Sequence, residues 1–510
     1  MANTINAYDA DVRIPQFMGL KQYGDLMNGN PIYAAHCVNM NTKGGTLMPM
    51  AAPVSLPGHL DAPIETLMKV NRRWAGSGPD EMIVAASGGK LYVYDMDEQA
   101  WSTEPITMPE GIERFASNVW SWVDYEITQE DADFPHDVIL LTNPTDGMFM
   151  FDSQSLVVTA VPTPYSFGVI TRHAERIWGS GIINEPDKLV YSRPYLGNGD
   201  LSIAWEPAGP EEQPEDGAGE IDQPSWDGDS FMALRTFGDQ LIAFKRTRVW
   251  RVLGTDPGVY EFKEQYGGGA YVHQTVAVDS QRIYMLGQQG IMCYDGSTVE
   301  PFGKEYAYVA WNRLNRAHMD EACACIWRDK YYIAIPLDDS QTNNAVVTYD
   351  MHDGTWLMRT DLQIESWLPA ENALYFTTVD DPYSVRQYRE DAWETGEAID
   401  AEQIWISPWN DLGYPHKSKG PFKFFFAPEV QDKPADFTII VDTEKGSRSK
   451  EVKVYPIKGY EERMKYDAKT IRVPFAGHGR KFRVTIKAKG GAVWRICGGI
   501  VLNVDQETED

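Results

Sequence analysis

Short apolar strands recur in pairs along the first 400 or so residues, and a turn rich in Gly, Asp or Asn joins the two members of each pair. The second strand often ends in aromatic-x-aromatic-Asp, as in Lys90–Asp95 and Met148–Asp152. Because side chains alternate along a strand, this spacing puts both rings on one face, where they can pack against a neighbouring sheet. The Asp then begins the next turn. The pattern predicts a series of β-hairpins.

These hairpins recur at a spacing that indicates a repeat architecture. Their second strands end near Tyr94, Phe151, Tyr191, Trp250, Tyr294, Tyr349 and Tyr388. The spacing of roughly 40 to 60 residues fits propeller blades of four strands each. We therefore expect a β-propeller of about seven blades, with six or eight as alternatives. The spacing is too irregular for a standard WD-type repeat, and it predicts long loops such as the acidic insert at Glu211–Gly217.

The pattern changes near residue 400, where strands that alternate basic and apolar residues begin. The strand-like segments of this part are Phe422–Phe426, Phe437–Val441, Lys453–Tyr455, Thr470–Val473, Lys481–Lys487 and Ile500–Val504. Half-exposed strands in this number are typical of a β-sandwich. The fold class predicted is all-β, with an N-terminal arm and ring-closing strands at 1–60, a propeller at 61–402 and a jelly-roll-like C-terminal sandwich at 403–510.

Charge divides the chain at the same place. Residues 403–510 carry 19 basic and 14 acidic groups, a net charge of +5. The rest of the chain carries 27 basic and 60 acidic groups, a net charge of −33, so the whole chain has a net charge of −28. Such a step marks a domain boundary. It also argues against nucleic-acid binding by the larger part, because a phosphate backbone would be repelled. The sequence has no apolar stretch long enough to span a membrane, and its N-terminus lacks the pattern of a secretion signal. The odd, sparse set of cysteines leads us to expect folding in a reducing cytoplasm.

The five cysteines are too few and too scattered for a disulfide framework. Cys323 and Cys325 would share one face of a strand and suggest a metal site, but no second Cys or His pair lies nearby in sequence. We interpret them as core residues. The nine histidines are also scattered, without a paired spacing that predicts metal ligation.

Carboxylate pairs are frequent in this acidic chain, and they lie in contexts typical of turns. The pairs are Asp95/Asp97, Asp131/Asp133, Asp227/Asp229 and Asp338/Asp339. A glycosidase would need one protonated and one ionised carboxyl group across a cleft, and no pair is marked out for that role. Asp227-Gly228-Asp229 lacks the ligand series of a calcium loop. The sequence thus predicts no enzyme activity and no catalytic, cofactor-binding or metal-binding residue.

Glycine clusters have plain structural interpretations. Gly179-Ser180-Gly181 lacks the following helix that a dinucleotide site requires, and Gly267-Gly268-Gly269 is typical of a loop between blades. Gly477-His478-Gly479-Arg480-Lys481 predicts a hairpin tip with a basic flank, either a simple exposed turn or a contact for an anionic partner.

Several segments resemble a family of tail proteins of double-stranded DNA bacteriophages. The segments are Ile14–Gly19, Ala34–Leu47, Arg176–Gly181 with Leu189–Ser192 and Asp200–Trp205, Phe244–Trp250 with Gly290–Gly296, and Trp405–Trp409 through Lys417–Lys419. The resemblance extends over most of the chain through short motifs. The blade spacing and the acidic insert depart from the family pattern.

The resemblance implies a structural virion protein of the tail hub or nozzle, of the packaged-DNA stabilisation type. Such proteins form rings, commonly hexameric, next to the portal and adaptor, and they extend the channel through which DNA passes without sequence-specific contact. An acidic propeller beside that channel would keep DNA from sticking, and the net-basic sandwich would dock an acidic neighbour. We expect no cofactor, and we expect the protein in the virion tail after synthesis in the bacterial host cytoplasm.

Two other functions remain open at this stage. The first is a receptor- or glycan-binding protein at the tail tip, in which exposed aromatic rings stack on sugars. Trp122, Trp226 and Trp393 lie in polar stretches and are the candidates for that stacking. The second is a propeller glycosidase that degrades the host surface.

Overall fold

The computed structural model describes residues 7–22, 27–72, 80–127, 136–194, 200–222, 228–254, 260–456 and 470–507. Its first five strands belong to an extended N-terminal arm. They are β1 (Ala7–Ile14), β2 (His36–Val38), β3 (Met40–Asn41), β4 (Met48–Pro49) and β5 (Val54–Ser55). No helix among the described residues is both long and apolar enough to cross a membrane.

Seven consecutive four-stranded antiparallel sheets follow, and we number them as blades 1 to 7. Blade 1 contains β6 (Ile64–Arg72), β7 (Asp80–Ser87), β8 (Lys90–Asp95) and β9 (Ala100–Trp101). Blade 2 contains β10 (Ser121–Ile127), β11 (His136–Asn143), β12 (Gly147–Asp152) and β13 (Val157–Val161). Blade 3 contains β14 (Val169–His173), β15 (Arg176–Ser180), β16 (Lys188–Tyr191) and β17 (Gly219–Asp222). Blade 4 contains β18 (Ala233–Phe237), β19 (Gln240–Phe244), β20 (Val249–Leu253) and β21 (Glu261–Gln265). Blade 5 contains β22 (Ala277–Val278), β23 (Ile283–Gly287), β24 (Gly290–Tyr294) and β25 (Val299–Pro301).

Blades 6 and 7 complete the propeller. Blade 6 contains β26 (Cys323–Trp327), β27 (Lys330–Ile335), β28 (Ala345–Asp350) and β29 (Thr355–Arg359). Blade 7 contains β30 (Ile364–Pro369), β31 (Leu374–Thr378) and β32 (Arg386–Tyr388). The outer strand of blade 7 is β5, which pairs Ser55 with Arg386 and Val54 with Gln387. The N-terminal arm thus closes the ring of blades, and β30 packs against β6 across the closure. The predicted seven-bladed propeller is confirmed.

Sequence periodicity explains why the blades pack. Each predicted hairpin forms the two middle strands of one blade, and its apolar residues face the neighbouring blades. Phe149 and Phe151, for example, both lie in the core cluster between blades 1 and 2. Trp178 and Tyr191 pack between blades 3 and 4, with ring centroids 5.2 Å apart. The aromatic-x-aromatic spacing therefore marks the inter-blade core.

Most of the remaining strands form two further sheets, together called the two-sheet unit, while Glu429–Val430 and Trp494–Arg495 pair as a separate two-stranded sheet. The remaining strands are β33 (Gln403–Ile406), β34 (Lys419–Phe426), β35 (Glu429–Val430), β36 (Ala435–Thr443), β37 (Gly446–Val454), β38 (Ile471–Phe475), β39 (Phe482–Lys489), β40 (Trp494–Arg495) and β41 (Ile500–Glu507). One sheet has the order β1-β41-β34-β38, and the other continues from blade 6 as β29-β2-β33-β39-β36-β37. Rings meet between the two sheets, as between Phe422 and Phe482 at 5.3 Å and between Phe426 and Phe437 at 5.5 Å. The sheets face each other as in a β-sandwich.

The N-terminal arm connects the propeller to the two-sheet unit through strand pairing. Strand β2 lies between β29 of blade 6 and β33, which makes one continuous nine-stranded sheet. Gly19 passes so close to Trp356 that a Cβ would lie 2.4 Å from that residue's carbonyl oxygen, and its φ is +73°. Phe17 then packs its ring 5.3 Å from the fully buried Trp405. A single core cluster runs from blades 5 and 6 into both sheets.

Among the described residues helix is a minor component, which agrees with the predicted all-β fold class. The α-helices are α1 (Tyr308–Arg313) and α2 (Ala392–Thr395), and the short 3-10 turns are Lys43–Gly45, Leu201–Ile203, Pro214–Asp216, His273–Thr275 and Arg316–Glu321.

Candidate functional site

Three carboxylates meet where the inner strands of neighbouring blades begin. Glu321 precedes β26, while Glu365 and Glu65 are the second residues of β30 and β6. Burial, and then repulsion by Glu65 and Glu321, raises the pKa of Glu365. Asn118 Nδ2 donates a hydrogen bond of 2.9 Å to Glu65. This end of the propeller centre is therefore acidic, and it would repel an anion such as DNA.

The inner strand of blade 4 brings a partly buried cation, Arg235, to the propeller centre. Arg235 donates hydrogen bonds to the carbonyl oxygens of Val276 at 3.1 Å and Leu234 at 2.8 Å. Burial lowers the pKa of Arg235 to about 10. Burial, together with the Arg235 charge, lowers the pKa of His273 to about 4, so this imidazole is neutral at pH 7. The bond to Val276, which directly precedes β22 of blade 5, connects blade 4 to blade 5.

A basic cleft opens at one margin of the two-sheet unit, between β37 and β38. Its floor is apolar and its rim is basic, and it encloses about 40 Å³, room for about three water molecules or one carboxylate. The lining residues are Phe422, Val441, Thr443, Lys445, Gly446, Arg448, Phe475, Gly477 and His478. The predicted basic hairpin tip at 477–481 is thus brought beside the β36–β37 hairpin.

Alternation along β37 explains why its cations face this cleft. Val452 and Val454 pack against the core cluster, so Arg448 and Lys450 point to the same inner side. The facing sheet ends there at β38, and Lys450 Nζ lies 5.9 Å from the Phe475 ring centroid. The side chains of Gly446–Glu451 are exposed. Within the described part of the chain, β37 has a partner strand on one side only.

The turn beside the cleft is ordered by a carboxylate that is already engaged. Glu444 accepts hydrogen bonds from the backbone N–H of Arg480 at 2.6 Å and of Lys481 at 3.2 Å. Although burial opposes it, these bonds lower the pKa of Glu444. Glu444 is thus directed to the backbone of residues 480–481, and the basic side chains that line the cleft are Lys445 and Arg448.

An acidic loop lies at the periphery of blade 3. Ten acidic residues and no basic residue occur from 194 to 234, and the described insert between β16 and β17 is exposed along residues 210–216. The Arg193 guanidinium holds this insert by donating hydrogen bonds to the Glu212 carboxylate at 2.8 Å and to the carbonyl oxygens of Glu206 and Pro207. From here on the name acidic insert covers residues 204–218, which include the predicted segment Glu211–Gly217.

A second arginine fixes the other end of the acidic insert. Arg176 is 3% exposed and donates to the carbonyl oxygens of Ser192 at 2.6 Å, Gly217 at 2.9 Å and Glu215. The insert is therefore a preformed surface, and its carboxylates are displayed without a large loss of conformational entropy on binding.

Other residues singled out by sequence have structural roles. Cys323 and Cys325 are buried in the core between blades 6 and 7, where burial raises the pKa of each thiol. Across the described ranges, no group of three or more His, Cys, Asp or Glu residues could hold a metal ion. Gly179 packs under Phe167, since a Cβ there would lie 2.6 Å from that ring.

The carboxylate pairs mostly complete turns or ion pairs. Asp95 accepts from the N–H groups of Asp97 and Glu98, and Asp338 pairs with Arg313 at 2.6 Å. Asp229 accepts from the N–H of Thr247. The pair Asp131/Asp133 and residue Asp227 lie outside the described residues.

Two of the three candidate sugar-stacking tryptophans are described, and both are engaged by protein. Trp122 is partly buried and packs against the cores on both sides of blade 1. The Arg495 guanidinium covers Trp393 at 4.0 Å from its ring centroid. Trp226 lies outside the described residues.

No protein-family model and no curated protein sequence matches the chain. Among solved structures, BamB from Moraxella catarrhalis is similar at 9% identity and a TM-score of 0.32, over 75% of this chain and 100% of that one. The Neurospora crassa Pan2 WD40 domain is similar at 8% identity and a TM-score of 0.38, over 67% and 95%.

The β-propeller domain of the Trilobed protease from Pyrococcus furiosus is similar at 10% identity and a TM-score of 0.33, over 60% of this chain and 90% of that one. The chain is a seven-bladed β-propeller protein by its own sheet topology.

Proposed function

We propose that this chain is a structural protein of a tailed-phage virion, a subunit of a ring of protomers in the tail hub or nozzle. The observation that carries the proposal is the rigid union of an acidic propeller with a net-basic C-terminal region through one continuous sheet. An assembly subunit needs this combination, because fixed geometry and complementary charge set how copies and neighbours dock.

The sequence motifs described above add support from the tail-protein family. In that setting the ring, hexameric by the family resemblance, would lie next to the portal and adaptor and extend the DNA channel. Passing DNA would meet acidic surfaces such as that around Glu365, and like-charge repulsion would let it slide without binding. The virion tail is the corresponding location.

The alternative functions have less support from the described residues. Stacking on a sugar ring needs an open aromatic face, and Trp122 and Trp393 are covered by their own chain. The pairs Asp95/Asp97 and Asp338/Asp339 contain carboxylates committed to turn hydrogen bonds or to an arginine. Assembly through surfaces is therefore the function that the geometry favours.

Negative-stain imaging of the purified chain at increasing concentration tests this proposal, together with antibody labelling of phage particles whose genome encodes it. We expect closed rings with a central hole and label on the tail. A chain that stays monomeric at every concentration, and antibody that never labels a particle, would refute it.

A further inference from the structure

The acidic insert and the basic cleft lie on opposite sides of one rigid molecule. The insert joins β16 to β17, the outer strand of blade 3, whereas the cleft belongs to the unit attached to the outer strand of blade 6. Blades 4 and 5 separate them on one path around the ring of blades, and blades 2, 1 and 7 on the other. The two surfaces are thus placed to meet between copies and not within one.

Their chemistry is complementary. The insert presents exposed Glu211, Glu215 and Asp216, and the cleft presents Lys445, Arg448 and Lys450 around an apolar floor. Two arginines preorder the insert, so binding would order few additional residues. Opposite charge on rigid surfaces favours encounter and fixes orientation.

We propose that the cleft between β37 and β38 docks the acidic insert of a second copy of this chain. The inference rests on the proposed ring-forming function and specifies the surfaces that join its protomers. The contact is heterologous, since each copy offers its insert to one neighbour and its cleft to the other. Head-to-tail contacts of this type close into rings when the rotation between copies allows.

A simpler role for the cations on β37 is protective. Charged side chains on an edge strand discourage pairing with other chains, and reversing their sign would preserve that protection. Docking makes the opposite prediction, because reversal would place acidic residues against the acidic insert. Charge reversal therefore separates the two roles.

The test uses the full-length chain in three forms. R448E/K450E reverses the cleft, E211K/E215K reverses the insert, and the combined variant reverses both. All four positions are exposed, so circular dichroism and melting temperature should match the wild type. Matched controls are K433E/K489E at the other end of the two-sheet unit and E110K/E113K in the connection between blades 1 and 2, which change net charge equally at exposed positions.

The expected results form a pattern that only the proposed contact gives. Each single-surface variant should self-associate about tenfold more weakly or worse, measured by analytical ultracentrifugation, while the controls assemble like the wild type. The combined variant should assemble again, and mixing the two single-surface variants should give alternating rings with an even number of protomers.

Wild-type rings that persist in R448E/K450E and E211K/E215K would overturn this contact while leaving the ring proposal intact. Loss of assembly in both variants without recovery in the combined form would also overturn it. A wild-type chain that remains monomeric at low salt and high concentration would overturn the contact and count against the ring proposal as well.

Discussion

The propeller and the two-sheet unit are both all-β, but they are built from the sequence in different ways. In blades 1 to 6 every strand pairs with its neighbours in the chain. In the two-sheet unit, β1 at residues 7–14 pairs with β41 at residues 500–507, and β2 lies between blade 6 and β33. Local pairing leaves a repeat in the sequence, whereas long-range pairing does not. The N-terminal arm is therefore the piece on which the union of the two regions depends.

The most disruptive change should be removal of residues 1–14. It deletes β1, leaves an edge of β41 unpaired, and removes Ile14, which is 3% exposed. We expect the free energy of unfolding of the two-sheet unit to fall by about 4 kcal/mol or more, while the propeller keeps its fold. Limited proteolysis should then cut first within residues 403–510. An unchanged digestion pattern would show that β1 is dispensable.

The next largest effect should come from Arg359, in the propeller. Its side chain is fully buried, pairs with both oxygens of Asp361 at 2.6 and 2.8 Å, and lies over the Tyr388 ring at 5.1 Å. Arg359→Ala leaves a shielded carboxylate without its cation, so unfolding in urea should show a loss of about 3–5 kcal/mol.

The exposed pair Arg313–Asp338 supplies the control for that variant. Arg313→Ala should cost less than about 1 kcal/mol, because solvent screens this pair. Equal losses for the two arginines would contradict the distinction between buried and exposed pairs.

The sequence predicted the propeller much better than the two-sheet unit. Each blade's middle hairpin carries its own apolar alternation and turn residues, as at Met82–Asp95, so blade number followed from the repeat. Strand β37 was predicted only at its end, because Gly446–Glu451 is polar throughout and shows no alternation. Its strand conformation comes from complete pairing with β36.

The candidate site was visible in the sequence only as separate pieces. The acidic insert and the basic tip at 477–481 both stood out by charge. That Arg448 lies beside His478 depends on the packing of two sheets, which no local pattern encodes. Arg176 and Arg193 as clamps of the insert were likewise missed, since their partners are mostly backbone carbonyls.

A pH titration should find a smaller effect that belongs to the propeller. The pKa of His273 is lowered from 6.5 to about 4 in the folded state, so the unfolded chain binds the extra proton more readily between these values. The free energy of unfolding is therefore unaffected by His273 above about pH 6.5. It declines as pH falls from 6.5 toward 4, by up to about 3 kcal/mol. His273→Gln should flatten that part of the stability curve measured by chemical denaturation. A curve that keeps its slope in the variant would assign the pH dependence elsewhere.

The smallest effect should be a gain in stability. Because the pKa of Glu365 is raised by burial and by two neighbouring carboxylates, its ionised form costs the folded state free energy above about pH 4.5. Glu365→Gln should raise the melting temperature at pH 7, by an amount equivalent to less than about 1 kcal/mol, and should have no effect near pH 3. A loss of stability at pH 7 would mean that the carboxylate makes a contact that favours folding.

If copies of this chain join through opposite charge, as we propose, salt should weaken their association. Mass photometry of the wild-type chain across a salt series tests it most directly, because exposed charges are screened beyond a Debye length of about 10 Å at 0.1 M salt and about 3 Å at 1 M. We expect a single closed oligomer at low salt, and we expect it to dissociate to monomers as the salt concentration rises. Monomers at every salt concentration, or an oligomer that strengthens with salt, would contradict it.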